Sequence, residues 1–214
     1  MGLYQKIVGN AGNPEGVLGQ VMVAGMNACH AGLSGWGCRF LGEEIPGQVL
    51  DIGCGGGANV KRFLNRYAQA HVTGVDYSAV SVESARKRNK AAIRAGRCEI
   101  LQADVSNLNL PENQYDLATA FETVYFWRSI QQSFENVFRA LKPGGRFLIV
   151  NESTGTDPAA VKFAKIIDGM NLYTPEGLKE LLEAAGFADV KIHQVKSKPW
   201  IAVIGRKPTG REAG

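Results

Sequence analysis

Runs of continuous apolar character and runs with helical spacing take turns along the chain. Gln48 to Ile52 reads as a short strand buried on both faces, His71 to Asp76 as a second, and Glu99 to Ala103 and Tyr115 to Phe121 as a third and fourth. Between them Ala58 to Ala68 predicts a helix, and Ala79 to Ala95 a longer, charged one closed by Gly96. Ile130, Phe134, Val137, Phe138 and Leu141 keep one face of a further helix. The turn Lys142-Pro143-Gly144-Gly145 ends it before a strand at Arg146 to Asn151. Thr174-Pro175 opens a last helix, with Leu178, Leu181, Leu182 and Ala185 inward and Gly186 as its stop. The two strands that follow, about Asp189 to Val195 and Trp200 to Gly205, have a linker too short for a helical crossover, so they pair antiparallel as a hairpin. The expected fold is α/β: a doubly wound, mostly parallel seven-stranded sheet with helices on both faces and a C-terminal antiparallel hairpin.

Residues 1–45 stand outside this alternation. Val17 to His30 has helical spacing in Val17, Val21, Ala24 and Ala28, and Gly32, Gly35 and Gly37 then break the chain. The segment is too short for a domain, and a helical lid over the sheet's open edge is its expected use. The organisation expected is a lid over 1–45, one main domain over 46–207 and a tail over 208–214. At 214 residues and 45% hydrophobic content the chain can bury one substantial core. The net charge of +4 is spread along the chain with no basic tail, which demands no nucleic-acid partner. Cys29, Cys38, Cys54 and Cys98 form no CxxC pair, so neither a zinc knuckle nor a disulfide framework is signalled. The N-terminus lacks a basic-then-apolar leader, no run is long and apolar enough to span a bilayer, and Lys6 stands where a myristoylation signal needs Ser or Thr. A cytoplasmic protein without a membrane anchor is expected.

The stretch VLDIGCGGGANV, Val49 to Val60, carries the first candidate chemistry. A glycine-rich turn between a strand's carboxyl end and a helix N-terminus lets backbone N–H groups approach a polar or anionic ligand, because no Cβ intervenes. In a doubly wound sheet this turn lies beside the topological switch point, where ligands bind. Asp76 ends the next strand, where an acid can hold the two hydroxyls of a ribose. An adenosine-containing cofactor is therefore expected. Gly53, Gly55 and Ala58 also satisfy G-x-G-x-x-G/A, so the loop alone leaves a nicotinamide cofactor open.

The combination is more specific. DIGCGGG with its leading Asp51, VDYS with Asp76, LQADV with Asp104, YDLATAFE and LKPGGRFLIV together resemble the class I S-adenosylmethionine-dependent methyltransferases, in that family's order and spacing. The likeness covers about Gln48 to Lys207 and is nearest to the small-molecule enzymes of quinone and sterol methylation. It implies S-adenosyl-L-methionine as cofactor and S-adenosyl-L-homocysteine as product. Gly53, Gly55 and Gly57 would then lie against the methionine part, with Asp51 near its amino group. Asp76 would hold the ribose, Tyr77 would cover one adenine face, and Asp104 would accept from the exocyclic amine with the Val105 backbone beside the ring. The cofactor carries no phosphate, and its ammonium and ribose both favour carboxylates.

Methyl transfer from a sulfonium is an in-line displacement, and a base is needed only where the acceptor must lose a proton. At the end of the fourth strand the resemblance places acceptor-facing residues in FETVYFW, making Glu122 a candidate base and Tyr125, Phe126 and Trp127 a candidate apolar pocket. His30, in the lid segment, is a second candidate base, with Trp36 beside it for the acceptor pocket. His71 and His193 fall on strands away from the cofactor end and read as structural. No metal is expected, although Cys29 and Cys38 leave a metalloid-methylating alternative open. Arg86, Lys90, Arg94 and Arg97 share a helical face that could suggest RNA, but Glu83 pairs with Lys87 there and a solvated face is the simpler reading. The Asn/Asp-Pro-Pro-aromatic segment that amino-methylating nucleic-acid enzymes of this class carry at this place is absent, which argues against methylation of an exocyclic amine on a base. A nicotinamide-dependent oxidoreductase and a non-catalytic cofactor binder are the alternatives from other classes. The expected partner is a small, partly apolar or aromatic acceptor.

Overall fold

The computed structural model describes Gly25 and residues 29–210. Apart from Gly25, Cys29 and His30, the expected helix over Val17 to His30 lies outside the described residues, as does the end of the C-terminal tail. The described chain starts with a short helix α1 (Ala31–Gly37) and a 3-10 turn at Cys38–Leu41. There follow β1 (Gln48–Ile52), α2 (Ala58–Arg66), β2 (His71–Asp76), α3 (Ala79–Arg88), α4 (Lys90–Arg94) and β3 (Cys98–Gln102). The second half supplies β4 (Tyr115–Phe121), α5 (Ile130–Ala140), β5 (Leu141–Asn151), α6 (Pro158–Ala164), α7 (Pro175–Ala184), β6 (Ala188–Gln194) and β7 (Ile201–Arg206).

The seven strands form one sheet in the order β3-β2-β1-β4-β5-β7-β6. The first five run parallel, while β7 pairs antiparallel with both β5 and β6. Central strands such as β1, with Val49 and Leu50 inaccessible to solvent, are apolar in succession because each face carries its own core. One core joins α1, α2 and α3 to the sheet through Leu33, Val49, Phe63 and Val82; the other joins α5 and α7 through Leu50, Phe134, Phe147 and Leu182. Full burial of each such side chain contributes about 1.5–3 kcal/mol. The crossover direction reverses between β1 and β4, so the loops leaving those two strands diverge and open a crevice at their carboxyl ends.

Three local features differ from the sequence expectation. The expected helix from Ala79 to Ala95 divides at Asn89, whose buried amide donates to Ala85 O and to Gly57 O of the glycine turn. Lys142-Pro143-Gly144-Gly145 does not end in an open turn but bulges within the long β5, where the pairing register with β4 shifts. Gly32, Gly35 and Gly37 do not break the chain; they lie within α1. A Cβ on Gly37 would stand 2.5 Å from a methyl of Val150, so glycine lets this helix press directly on β5 despite its weak helical propensity. By contrast, Thr174 caps α7 as its sequence predicts, accepting from Gly177 N at 3.0 Å, with Pro175 in the first turn.

Candidate functional site

The glycine turn after β1 is shaped by positive φ angles at Gly53, Gly55 and Gly57 (+68°, +51° and +72°). At Gly53 the demand is steric as well: a Cβ would stand 2.0 Å from Thr123 Oγ1, which follows β4 across the crevice. Arg88 Nε donates to Gly56 O at 2.8 Å and Asn89 Nδ2 to Gly57 O at 3.1 Å. Gly55 N–H donates to Asp76 Oδ2 at 2.8 Å, and Ser78 N–H to Asp76 Oδ1 at 2.9 Å, which fixes the acid that ends β2. Burial nevertheless pushes the Asp76 carboxyl above its ordinary range, against these two donors.

Asp51 lies beneath the turn, 2% exposed. Its Oδ1 accepts from Thr119 Oγ1 at 2.8 Å, while Oδ2 is buried without a hydrogen-bond partner among the described residues. Burial, opposed by the Thr119 hydroxyl and reinforced by the charge of Asp76, raises its pKa to about 7. A buried carboxylate oxygen left unpaired is costly and marks a place where a donor from outside the chain fits.

Beside this turn opens a cavity of about 700 Å³. Gly53, Asp76, Tyr77, Asp104 and Val105 line it, as do Phe126 and Trp127. Asp104 caps the 3-10 turn Val105–Asn107 through one oxygen, Oδ1, which takes both Ser106 N–H and Ser106 Oγ. Tyr77 keeps 44% of its surface exposed, so its ring forms an open wall, and burial of its hydroxyl raises that group's pKa to about 12. Thr123, within the expected acceptor-facing segment, also lines the cavity, as do Arg128, Asp168 and Gly169, which were not anticipated from sequence. Only Gly169, a turn glycine with φ +73°, left a signal there, in the breaker pair Asp168-Gly169.

At the end of β4, Glu122 adopts φ +57°, a conformation costly for a non-glycine residue and common at functional positions. Its Oε1 accepts from Glu152 N–H and it also bonds the Tyr125 hydroxyl. His30 Nε2 lies 3.6 Å from Glu122 Oε2. Burial raises the Glu122 pKa, opposed chiefly by the neighbouring His30. The structure thus brings together two residues that the sequence offered only as separate candidates, and adds Glu152, unforeseen, within 4.8 Å.

The expected acceptor aromatics divide. Phe126 and Trp127 reach the cavity, but Trp127 is 5% exposed, stacks on Phe147 and meets Phe134 edge-on, while its Nε1 donates to Thr123 Oγ1 at 3.2 Å. Tyr125 is buried against Phe126 and Glu122 and does not line the cavity. Trp36 is buried too, edge-on to Phe40 and tilted on Trp200, and joins α1 to the hairpin outside that cavity. His193 stacks on Phe40 at 3.8 Å, and His71 begins β2. Arg86 and Arg97 of the basic stripe donate to the carbonyls of Ile100, Leu64 and Tyr67, so half of that stripe tethers backbone. Cys29 is exposed, whereas burial holds the Cys38 thiol up at about 11.

Residues 49–145 match the family model described as a methyltransferase domain. An uncharacterized methyltransferase of Bacillus subtilis, YdaC, is 26% identical over 191 residues, 87% of this chain and 99% of its own. A phosphoethanolamine N-methyltransferase of Triticum aestivum is 30% identical over 165 residues, 76% of this chain but 32% of that longer protein. Among solved structures, an O-methyltransferase family protein from Burkholderia thailandensis superposes with a TM-score of 0.78 at 17% identity, over 90% of this chain and 60% of that one. The matching methyltransferase domain and these likenesses support a class I S-adenosylmethionine-dependent methyltransferase. No helix among the described residues is long and apolar enough to cross a membrane.

Proposed function

We propose that the protein transfers a methyl group from S-adenosylmethionine to a small, partly apolar or aromatic metabolite. The observation that carries this reading is the cavity beside the glycine turn, acid-lined at Asp76 and Asp104, with the unpaired Asp51 oxygen beneath that turn. These residues fit the cofactor's chemistry. Asp76 retains lone pairs for ribose hydroxyls after taking two backbone donors, Asp104 Oδ2 suits an exocyclic amine, and Tyr77 offers a ring face. Asp51 suits an ammonium group, reached directly or through water. When bound, the cofactor supplies a methyl carbon activated by an adjacent sulfonium.

The chain's own part is to bind, to orient and to remove a proton where the acceptor carries one. His30 can accept that proton at Nε2, and the Glu122 carboxylate facing that atom stabilises the imidazolium that results. Thr123, wedged against Gly53, sets the distance between the cofactor turn and this pair. The segment before Gln48 serves as a lid, since α1 brings His30 to Glu122.

Two measurements test the reading. Calorimetric titration with S-adenosylmethionine and NAD side by side should give binding of the first only. Radiolabelled methyl transfer into a metabolite extract should label a small molecule; label entering bulk RNA or intact protein instead would overturn the acceptor class.

A further inference from the structure

The corner beyond the cofactor cavity is built from groups that attract positive charge. His30, Glu122 and Glu152 offer ligand atoms that all lie within 4.8 Å of one another. Glu122 is partly buried, with its backbone at positive φ and its carboxylate tied to Glu152 N–H, so the negative charge has a fixed place. Glu152 in turn accepts from Trp200 Nε1 at 2.9 Å, which fixes the indole beside the two acids. A second observation bears on what this indole receives. The Lys198 ammonium stands over the Trp200 ring, 4.0 Å from its centroid, so the indole that donates to Glu152 already holds an alkylammonium.

We propose that the methyl acceptor is an amine, bound as its ammonium ion by Glu122, Glu152 and the indole of Trp200. This rests on the methyltransferase reading and names the substrate class for it. A neutral hydroxyl gains little from two carboxylates and an electron-rich ring, and an anionic acceptor is repelled by them; an ammonium is attracted by all three. The amine must shed one proton to react. That proton passes to His30 Nε2, the freed nitrogen lone pair forms the new N–C bond, and the S–C bond breaks with its electrons remaining on sulfur. The products are a methylated ammonium, a neutral thioether and an imidazolium held by Glu122.

The test uses the full chain saturated with S-adenosylhomocysteine and two probes that differ only in the charged group, benzylamine and benzyl alcohol, titrated at neutral pH by calorimetry and by tryptophan fluorescence. Benzylamine should bind about tenfold more tightly or better, as expected of a cation between carboxylates and an aromatic face. Glu152→Gln, a change at an exposed side chain, should remove most of that preference. Lys198→Ala should preserve or strengthen it, because the competing ammonium is gone. Equal or tighter binding of the alcohol, no binding of benzylamine, or a preference untouched by Glu152→Gln overturns the proposal. So does displacement of benzylamine by micromolar Mn²⁺, which would make the corner a metal site. Failure of S-adenosylhomocysteine itself to bind would instead sink the methyltransferase reading, so the two failures are distinct.

Discussion

Nε2 of His30 and Oε2 of Glu122 face each other at 3.6 Å, joining the short helix ahead of the sheet to the end of its fourth strand. A base and its charge partner acting as a unit lose most of their effect when either is removed. His30→Ala and Glu122→Gln should each lower kcat by about a hundredfold or more. The double variant should be little worse than either single one. Strictly additive losses in steady-state kinetics would show that the two act apart.

Asp76 should be decisive for the cofactor. Asp76→Ala removes charged-group hydrogen bonds and should weaken S-adenosylmethionine binding by about 1.5–3 kcal/mol, measured by calorimetry on protein whose circular dichroism is native. Because Gly55 N–H also loses its acceptor, the variant should melt at a lower temperature as well. Unchanged affinity in folded protein would falsify the assignment.

Asp51 predicts a pH dependence with a definite sign. Its carboxyl is raised from 3.8 to about 7 by burial, so its contribution to folding is fully present below the lower value and is lost as pH rises through the upper one. Apoprotein stability attributable to this residue should therefore fall between those limits and level off beyond them. A bound ammonium favours the ionised form, so cofactor affinity should move the opposite way, rising by up to about tenfold per unit as the apoprotein's carboxyl loses its proton. Asp51→Asn should flatten both profiles, and titrations from mildly acidic to neutral pH would reveal it.

Much of this was legible in the chain. Continuous apolar runs announced the parallel strands, and of the residues singled out in the sequence Gly53, Asp76, Tyr77, Asp104 and Val105 meet around one cavity. What failed did so where tertiary contacts override local preference. The glycines of α1 read as breakers because their value lies in the closeness of Val150, a residue distant in sequence. Asn89 interrupts an otherwise helical run to reach Gly57, and Trp127, which does line the cavity, also packs on Phe147 and Phe134, contacts that no local pattern announces. Glu152 carried no local signal at all, since only the meeting of β4, β5 and the hairpin gives it a role.

Trp127 consequently yields a different expectation from a simple acceptor contact. Trp127→Ala should destabilise the fold by about 3–5 kcal/mol through the void left beside Phe147. Trp127→Phe keeps most of the packing and loses the bond to Thr123, a change of about 1 kcal/mol. Denaturant unfolding of the pair would separate core support from substrate contact, and equal stabilities would refute the former.

Gly53 and Gly55 provide an internal control on the turn. Both have positive φ, but only at Gly53 would a methyl collide with Thr123, whereas nothing lies within 4 Å at Gly55. Gly55→Ala should cost about 1–2 kcal/mol of backbone strain and keep cofactor binding. Gly53→Ala should displace the turn and abolish binding. Similar affinities for the two variants would remove Thr123 as a spacer.

The tethering of the glycine turn also determines when its ordering is settled. With Gly56 O and Gly57 O held by Arg88 and Asn89, and Gly55 N–H held by Asp76, three of the turn's four glycines have already surrendered their conformational freedom in the folded apoprotein. The entropy of ordering them is therefore charged to folding and not to ligand capture. A cofactor arriving at such a surface meets a finished mould, and the difference in its affinity between reactant and product is left to the few atoms by which the two differ.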